Sequence, residues 1–239
     1  MKTCLHSIVL LTFLAAGLPA FASEAASDVA PVQVLKMLKD GNVRYFTGVA
    51  RHPHTDPARL HDTAEHGQHP LATVIACSDS RCPVELLFDS GIGDLFVVRV
   101  AGNVCDTDEI GSIEYGVDHL GTPLLVVLGH DQCGAVTAVA THAEVHGKIP
   151  ALVDNIGPAV EKAQRLHPDL HGQDLVPAAV EANVWQAIED LLKGSDATRQ
   201  RIRNGRLMVV GAIYHLENGR INWLGAHPEQ ARLLKDPSR

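Results

Sequence analysis

The chain has 239 residues, a formal charge of −8, 46% hydrophobic residues and only 4% aromatic ones. That length and apolar content suit one α/β-sized domain with a full core, and they exclude a disordered chain or a pair of large domains. The acid excess and the lack of any Lys/Arg run exclude a basic face for nucleic acid or another polyanion.

Residues 1–22 begin with Lys2, pass through an apolar stretch from Ile8 to Leu18 and end in Ala20-Phe21-Ala22, a small-x-small cleavage pattern. The apolar stretch is about 11 residues, short of the roughly 17 to 25 that a membrane-spanning helix needs. The segment therefore reads as a secretory signal peptide rather than a membrane anchor. Residues 23–239 are expected to form one exported domain, bound for the periplasm or, as the alternative, secreted to the medium. Cys4 leaves with the signal peptide, so Cys77, Cys82, Cys105 and Cys133 remain.

Pro31 is placed to open a helix whose apolar residues Val34, Leu35, Leu38, Tyr45 and Phe46 share a loose face, with a break or kink expected at Gly41-Asn42. Residues 47–70, rich in His, Pro and Asp, read as an extended loop holding a short helix near 58–66. Runs of Val, Ile and Leu at 71–76, 94–100, 123–128 and 207–213 predict strands buried on both faces. Helical patterns lie between them at 108–120, 133–146, 151–166 and 177–192. Strand alternating with helix implies a mainly parallel four-stranded sheet flanked by helices, with an N-terminal helical arm. Residues 209–216 and 220–224, joined through Asn218-Gly219, predict a hairpin that adds a C-terminal antiparallel strand.

Common cofactor motifs are missing. Gly91-x-Gly93 lacks its third glycine because position 96 is Phe, and there is no Gly-Lys-Ser/Thr phosphate loop and no Gly-x-Ser-x-Gly elbow. The chemistry sits instead in Cys77-Ser78-Asp79-Ser80-Arg81 and in Gly129-His130-Asp131-Gln132-Cys133-Gly134, each directly after a predicted strand. In an open α/β sheet, sites are built at that carboxyl edge. Three readings fit the spacing: a zinc site of two thiolates and an imidazole with Asp79 as a possible fourth ligand, a Cys77–Cys133 disulfide, or buried inert thiols.

Further motifs narrow the choice. Cys77-Ser78-Asp79-Ser80-Arg81 is followed by Gly93-Asp94-Leu95-Phe96-Val97-Val98-Arg99, Ala101-Gly102-Asn103, Gly111-Ser112-Ile113-Glu114-Tyr115 and His130-x-x-Cys133-Gly134. In order and spacing the chain resembles a β-class carbonic anhydrase over roughly residues 31–225. The resemblance implies one Zn2+ per chain on Cys77, His130 and Cys133, and reversible hydration of CO2 to bicarbonate and a proton by zinc-bound hydroxide. It implies a homodimer or dimer of dimers embraced by the N-terminal arm. It also assigns Gln68, Phe96 and Tyr115 to the substrate pocket, the two aromatics often coming from the partner subunit.

Elementary chemistry adds roles for Asp79 and Arg81. If Asp79 bound the metal, the site would be four-coordinate and closed to water. A bidentate pair with Arg81 would hold Asp79 away and leave it to orient the nucleophile. Val74 stands where family members with a bicarbonate-dependent closed state carry Trp, which implies a site open near neutral pH. Two other readings stay open: a hydrolase of CS2 or carbonyl sulfide on the same fold, and a non-catalytic module in which zinc only holds the chain together. Cys82 and Cys105 could be inert, paired or reactive, and His52 and His54 are expected to be structural.

Overall fold

The computed structural model describes residues 29–235; the predicted signal peptide lies outside the described residues. Five strands form one sheet: β1 (Ala72–Ala76), β2 (Leu95–Arg99), β3 (Leu124–His130), β4 (Met208–Tyr214) and β5 (Ile221–Gly225). The helices are α1 (Pro31–Phe46), α2 (Pro57–His66), α3 (Val84–Leu87), α4 (Thr107–Glu114), α5 (Gly134–Ala140), α6 (Ile149–Val153), α7 (Gly157–Leu166), α8 (Val176–Gly194), α9 (Asp196–Arg203) and α10 (Gln230–Lys235). Sheet order is β2-β1-β3-β4-β5, parallel throughout except that β5 runs antiparallel to β4. The expected four parallel strands plus one antiparallel strand are what forms.

Side-chain alternation divides the core into two layers. Ile75, Leu125, Val127, Val209 and Ile213 face α5, α7 and α8, whereas Val74, Val126, Val210 and Ala212 face α1 and α3. Both β1 and β3 are buried along their whole length, which explains why their sequences are continuous apolar runs rather than alternating ones. Cys82 lies in the layer with α1 and Cys105 in the layer with α8. All four described cysteines are free. The sheet stands between Cys82 and Cys105, and burial pushes both thiols up, Cys82 to about 12.

Three helices differ from expectation. α1 runs unbroken through Gly41 and Asn42 because tertiary contacts hold both residues in place. A Cβ on Gly41 would lie 2.0 Å from the Phe88 carbonyl oxygen. Asn42 Nδ2 donates to the Leu87 and Gly219 carbonyls at 3.1 and 2.9 Å, and its Oδ1 accepts from Ile221 N–H at 3.0 Å. The segment 151–166 is two helices rather than one: Pro158 has no N–H to continue the ladder, so Asp154–Ile156 tightens into a 3-10 turn and α7 starts anew. The helix after Cys133 stops at Ala140, with His142 in a left-handed conformation (φ 52°) just beyond. α9 and α10 were not foreseen.

The His-rich loop is tied down by two carboxylates. Asp89 accepts from the Arg51 and His52 N–H groups at 2.8 and 2.9 Å and from Arg44 Nε. Asp94 takes His54 Nδ1 at 2.7 Å and the Gly91 N–H at 2.8 Å. The His54 imidazole thus serves the fold, whereas His52 takes part through its backbone N–H.

A third anchored carboxylate predicts acid behaviour. Glu189 on α8 meets His227 Nε2 at 3.3 Å, Lys162 at 3.2 Å and Lys193 at 3.5 Å. His227 chiefly, against the opposing effect of burial, lowers its pKa from 4.5 to about 2. A depressed carboxylate pKa contributes stability that is complete above the unfolded value and is lost as pH falls through the folded one. Denaturant melts of the wild type are therefore expected to lose stability between about pH 4.5 and about pH 2, and Glu189→Gln to flatten that part of the curve. An unchanged slope would refute the assignment.

Candidate metal centre

Parallel strands bring their carboxyl ends to one edge, and the first ligand candidates follow from that alone. Cys77 comes directly after β1, and His130 is the last residue of β3, paired with Tyr214 of β4. β3 extends two residues past the predicted strand end because its register with β4 continues. Asp131 and Gln132 then make a tight turn, Gln132 at φ 52°, that returns the chain so that Cys133 caps α5. Cys77, His130 and Cys133 are all buried, and their ligand atoms lie within 4.8 Å of one another.

The backbone holds the imidazole in one orientation. Its Nδ1 contacts the Asp131 carbonyl at 2.8 Å, which makes Nδ1 the protonated nitrogen and leaves the Nε2 lone pair free. Nε2 is buried and has no hydrogen-bond partner. An orphaned buried acceptor beside two sulfurs fits a soft divalent cation, and Cys2His is a zinc donor set. The Asp131 carboxylate ties the turn to the hairpin by accepting from Leu216 N–H at 3.0 Å and contacting His215 Nδ1 at 3.3 Å.

Burial and mutual contact set the state of the sulfurs. The Cys133 thiol holds Cys77 far below the ordinary thiol range, and the same contact together with burial pushes Cys133 up. The pair keeps one proton between them, which a metal ion would displace. Cys77 Sγ also accepts from the Gly102 N–H at 3.3 Å.

Asp79 and Arg81 form the fork the spacing anticipates. Arg81 Nε and Nη2 donate to the two carboxylate oxygens at 2.9 and 2.7 Å, and the Arg81 backbone N–H donates at 2.9 Å. These bonds hold the Asp79 carboxyl well below the usual carboxylate range. Asp79 Oδ2 is 3.9 Å from His130 Nε2. Arg99, to which the sequence assigned no role, clamps this turn from β2: its Nε donates to the Cys77 carbonyl at 3.1 Å and its Nη2 to the Asp79 carbonyl at 2.7 Å.

The pocket candidates lie elsewhere on the same chain. Phe96 pairs with Thr73, four residues before Cys77 and so about 13 Å along the strand. Tyr115 packs on Phe96 with ring centroids 5.7 Å apart, and it is half exposed where α4 passes into a π-helical turn, Tyr115–His119. Gln68 is exposed in the segment that leads into β1, toward the sheet's amino edge. Within one chain the structure gathers Cys77, Asp79, Arg81, His130 and Cys133, and keeps Gln68, Phe96 and Tyr115 apart from them.

Residues 72–221 match the carbonic anhydrase family model. Carbonic anhydrase 2 of Mycobacterium tuberculosis is 40% identical over 195 residues, covering 80% of this chain and 91% of that protein. The crystal structure of the β-carbonic anhydrase CafA of Aspergillus fumigatus superposes with TM-score 0.65 at 28% identity, over 74% of this chain and 90% of that one. The chain belongs to the β-class carbonic anhydrases. A tetrameric β-carbonic anhydrase of Sordaria macrospora is also similar, with TM-score 0.63 and 26% identity over 82% of this chain and 98% of that one. As a carbonic anhydrase the protein interconverts CO2 and bicarbonate; the family is zinc-dependent, and the Cys77-His130-Cys133 group fits zinc binding. Among the described residues, no helix is long and apolar enough to cross a membrane.

Proposed function

We propose that the protein hydrates CO2 reversibly with one Zn2+ per chain held by Cys77, His130 and Cys133, and that Asp79 and Arg81 are its catalytic pair. The buried, unpartnered His130 Nε2 among two sulfurs carries this reading. Zinc, when bound, supplies the Lewis acidity that makes water a nucleophile near neutral pH. Two thiolate donors offset the ion's charge, so the rate is expected to climb toward alkaline pH.

Asp79, kept ionised by Arg81, accepts a hydrogen bond from the attacking water and turns an oxygen lone pair toward the carbon of CO2. Water adds across one C=O bond, giving bicarbonate, and a proton passes to buffer. Arg81 keeps the carboxylate from swinging onto the ligand cluster, and Arg99 fixes the backbone that carries both. Asp79 sits in the fork of Arg81, the arrangement that leaves the site open, and the fully buried Val74 leaves no Trp to build the bicarbonate-dependent closed state.

A second copy of the chain, in a dimer or dimer of dimers, completes the pocket. Its Gln68 donates to substrate while Phe96 and Tyr115 form an apolar wall. The exposed Tyr115 and the apolar residues that α1 leaves in solvent, Val32, Met37 and Val43, support that assembly. Residues 1–22 act as a signal peptide, residues 23–239 form the single exported domain, and the periplasm is the proposed destination.

Stopped-flow CO2 hydration across pH, on protein of measured zinc content, tests the assignment. Activity rising with pH and falling about 10²-fold or more in Asp79→Ala is expected. Zinc-loaded protein inactive at every pH would support the non-catalytic module instead, and turnover of CS2 or carbonyl sulfide without CO2 hydration would redirect the substrate.

A further inference from the structure

Gly102 is held through both of its peptide groups. Its N–H donates to Cys77 Sγ at 3.3 Å, and its carbonyl accepts from the side chain of Asn183, Nδ2 at 2.7 Å. Asn183 lies on α8, far away in the chain, and is 2% exposed. α8 packs closely on the strand that ends in His130: a Cβ on Gly129 would lie 2.6 Å from Val184 Cγ2. One helix thus reaches both halves of the metal centre.

The turn that Asn183 grips is an unfavourable one. Gly102 has φ 74° and ψ 11°, and Asn103 follows at φ 45°. Two successive left-handed residues persist only where the surroundings hold them. Gly102 has no room to be anything else, since a Cβ there would meet Ile156 Cδ1 at 2.7 Å and Ala135 Cβ at 3.2 Å. Asn103 Nδ2 is buried without a partner, so that amide nitrogen offers the turn no support. The Asn183 amide is the polar group that fixes the 102–103 peptide plane, and through it the direction of the neighbouring N–H.

We propose that Asn183 is a positioning residue for the metal centre, holding the Gly102 turn so that its N–H stays aimed at the Cys77 sulfur. The inference rests on the zinc reading above. A hydrogen bond onto a thiolate withdraws electron density from sulfur and tempers its donation to the metal. Without Asn183 the Gly102 carbonyl is left buried and unpaired, the turn relaxes, and Cys77 becomes a stronger donor. The ion is then better neutralised, and the pH at which hydration sets in moves upward.

The experiment uses Co2+ loaded into the wild type, Asn183→Leu and Asn183→Ser. Loss of the N–H contact raises the sulfur lone pair, so the thiolate-to-cobalt charge-transfer band is expected at lower energy in Asn183→Leu. Asn183→Ser, which retains a shorter donor, is expected to shift it less. The relaxed turn also no longer holds the Cys77 sulfur in place, so zinc release to a chromogenic chelator is expected to quicken about tenfold in Asn183→Leu even though the sulfur is the stronger donor, and the pH midpoint of CO2 hydration to rise. A band at the wild-type position with zinc release within twofold overturns the inference, even if the melting temperature falls, because a mere packing brace would lower stability alone. If Asn183→Leu does not fold, Asn183→Ser is judged by the same two readouts. A wild type that takes up Co2+ with no thiolate band overturns the zinc reading itself, and the inference with it.

Discussion

Stripping the protein of metal with a chelator is expected to abolish CO2 hydration and lower the melting temperature, and added Zn2+ to restore both. Cys77, His130 and Cys133 are 5%, 1% and 1% exposed, so bulk water is a poor replacement for the ion as their partner. An unpaired buried polar atom such as His130 Nε2 costs about 1–3 kcal/mol by itself. A ligand that binds only the folded chain adds about 4 kcal/mol at a thousandfold excess over its Kd. Mg2+ and Ca2+, which seek oxygen donors, are expected to restore neither property. Cys133→Ser, which exchanges a soft donor for a hard one, should reproduce the stripped state, as metal analysis and calorimetry would show. Full activity in a chain free of zinc would overturn the assignment of this site.

Replacing Arg81 with leucine is expected to cut kcat/KM near neutral pH by about 10²-fold while zinc content stays at one per chain. Arg81 supplies two of the three bonds that hold the Asp79 carboxylate as side-chain donations, and the third, from its backbone N–H, survives the substitution. Asp79 Oδ2 already lies 3.9 Å from His130 Nε2. Without the guanidinium the carboxylate is free to turn onto the ligand cluster, where a fourth protein donor excludes the nucleophile. Asp79→Ala is also impaired but cannot close the site in this way. The double variant should therefore match Asp79→Ala rather than fall further, a non-additivity expected of residues in contact. An ordinary surface ion pair is worth at most about 1 kcal/mol, or roughly fivefold in rate. Arg81→Leu within fivefold of the wild type, or two losses that simply multiply, would reduce the pair to that status.

Much of this molecule was legible in the residues because its signals are local. The strands at 71–76, 123–128 and 207–213 are short apolar runs that a sheet covered on both faces buries, the run at 94–100 forms a strand too but, as the edge strand β2, is only partly covered, and Asn218-Gly219 marks the reversal that sets β5 antiparallel. Cys77 and His130 each close such a run, so their convergence at the carboxyl edge follows once the strands are parallel. The Asp79–Arg81 fork spans two residues and needs no distant partner.

What the residues could not decide depends on groups far apart in sequence. Gly41-Asn42 reads as a helix breaker until Phe88, Leu87, Gly219 and Ile221 arrive to occupy it. Likewise, Asn183 and Arg99 carry no motif that points to a metal. Their work is done through the Gly102 carbonyl and the backbone oxygens of Cys77 and Asp79, and backbone acceptors leave no trace in side-chain identity. The cysteine tally went the same way: two thiols meet the imidazole within 4.8 Å, and the other two are parted by the sheet. By itself the sequence determined a mainly parallel sheet with one antiparallel addition, and it placed two thiols, an imidazole and a carboxylate just past strand ends, because each is written in neighbouring residues. Only the tertiary structure decided which helices break, which peptides face the sulfurs and where the pocket aromatics lie, because those depend on long-range packing and backbone direction.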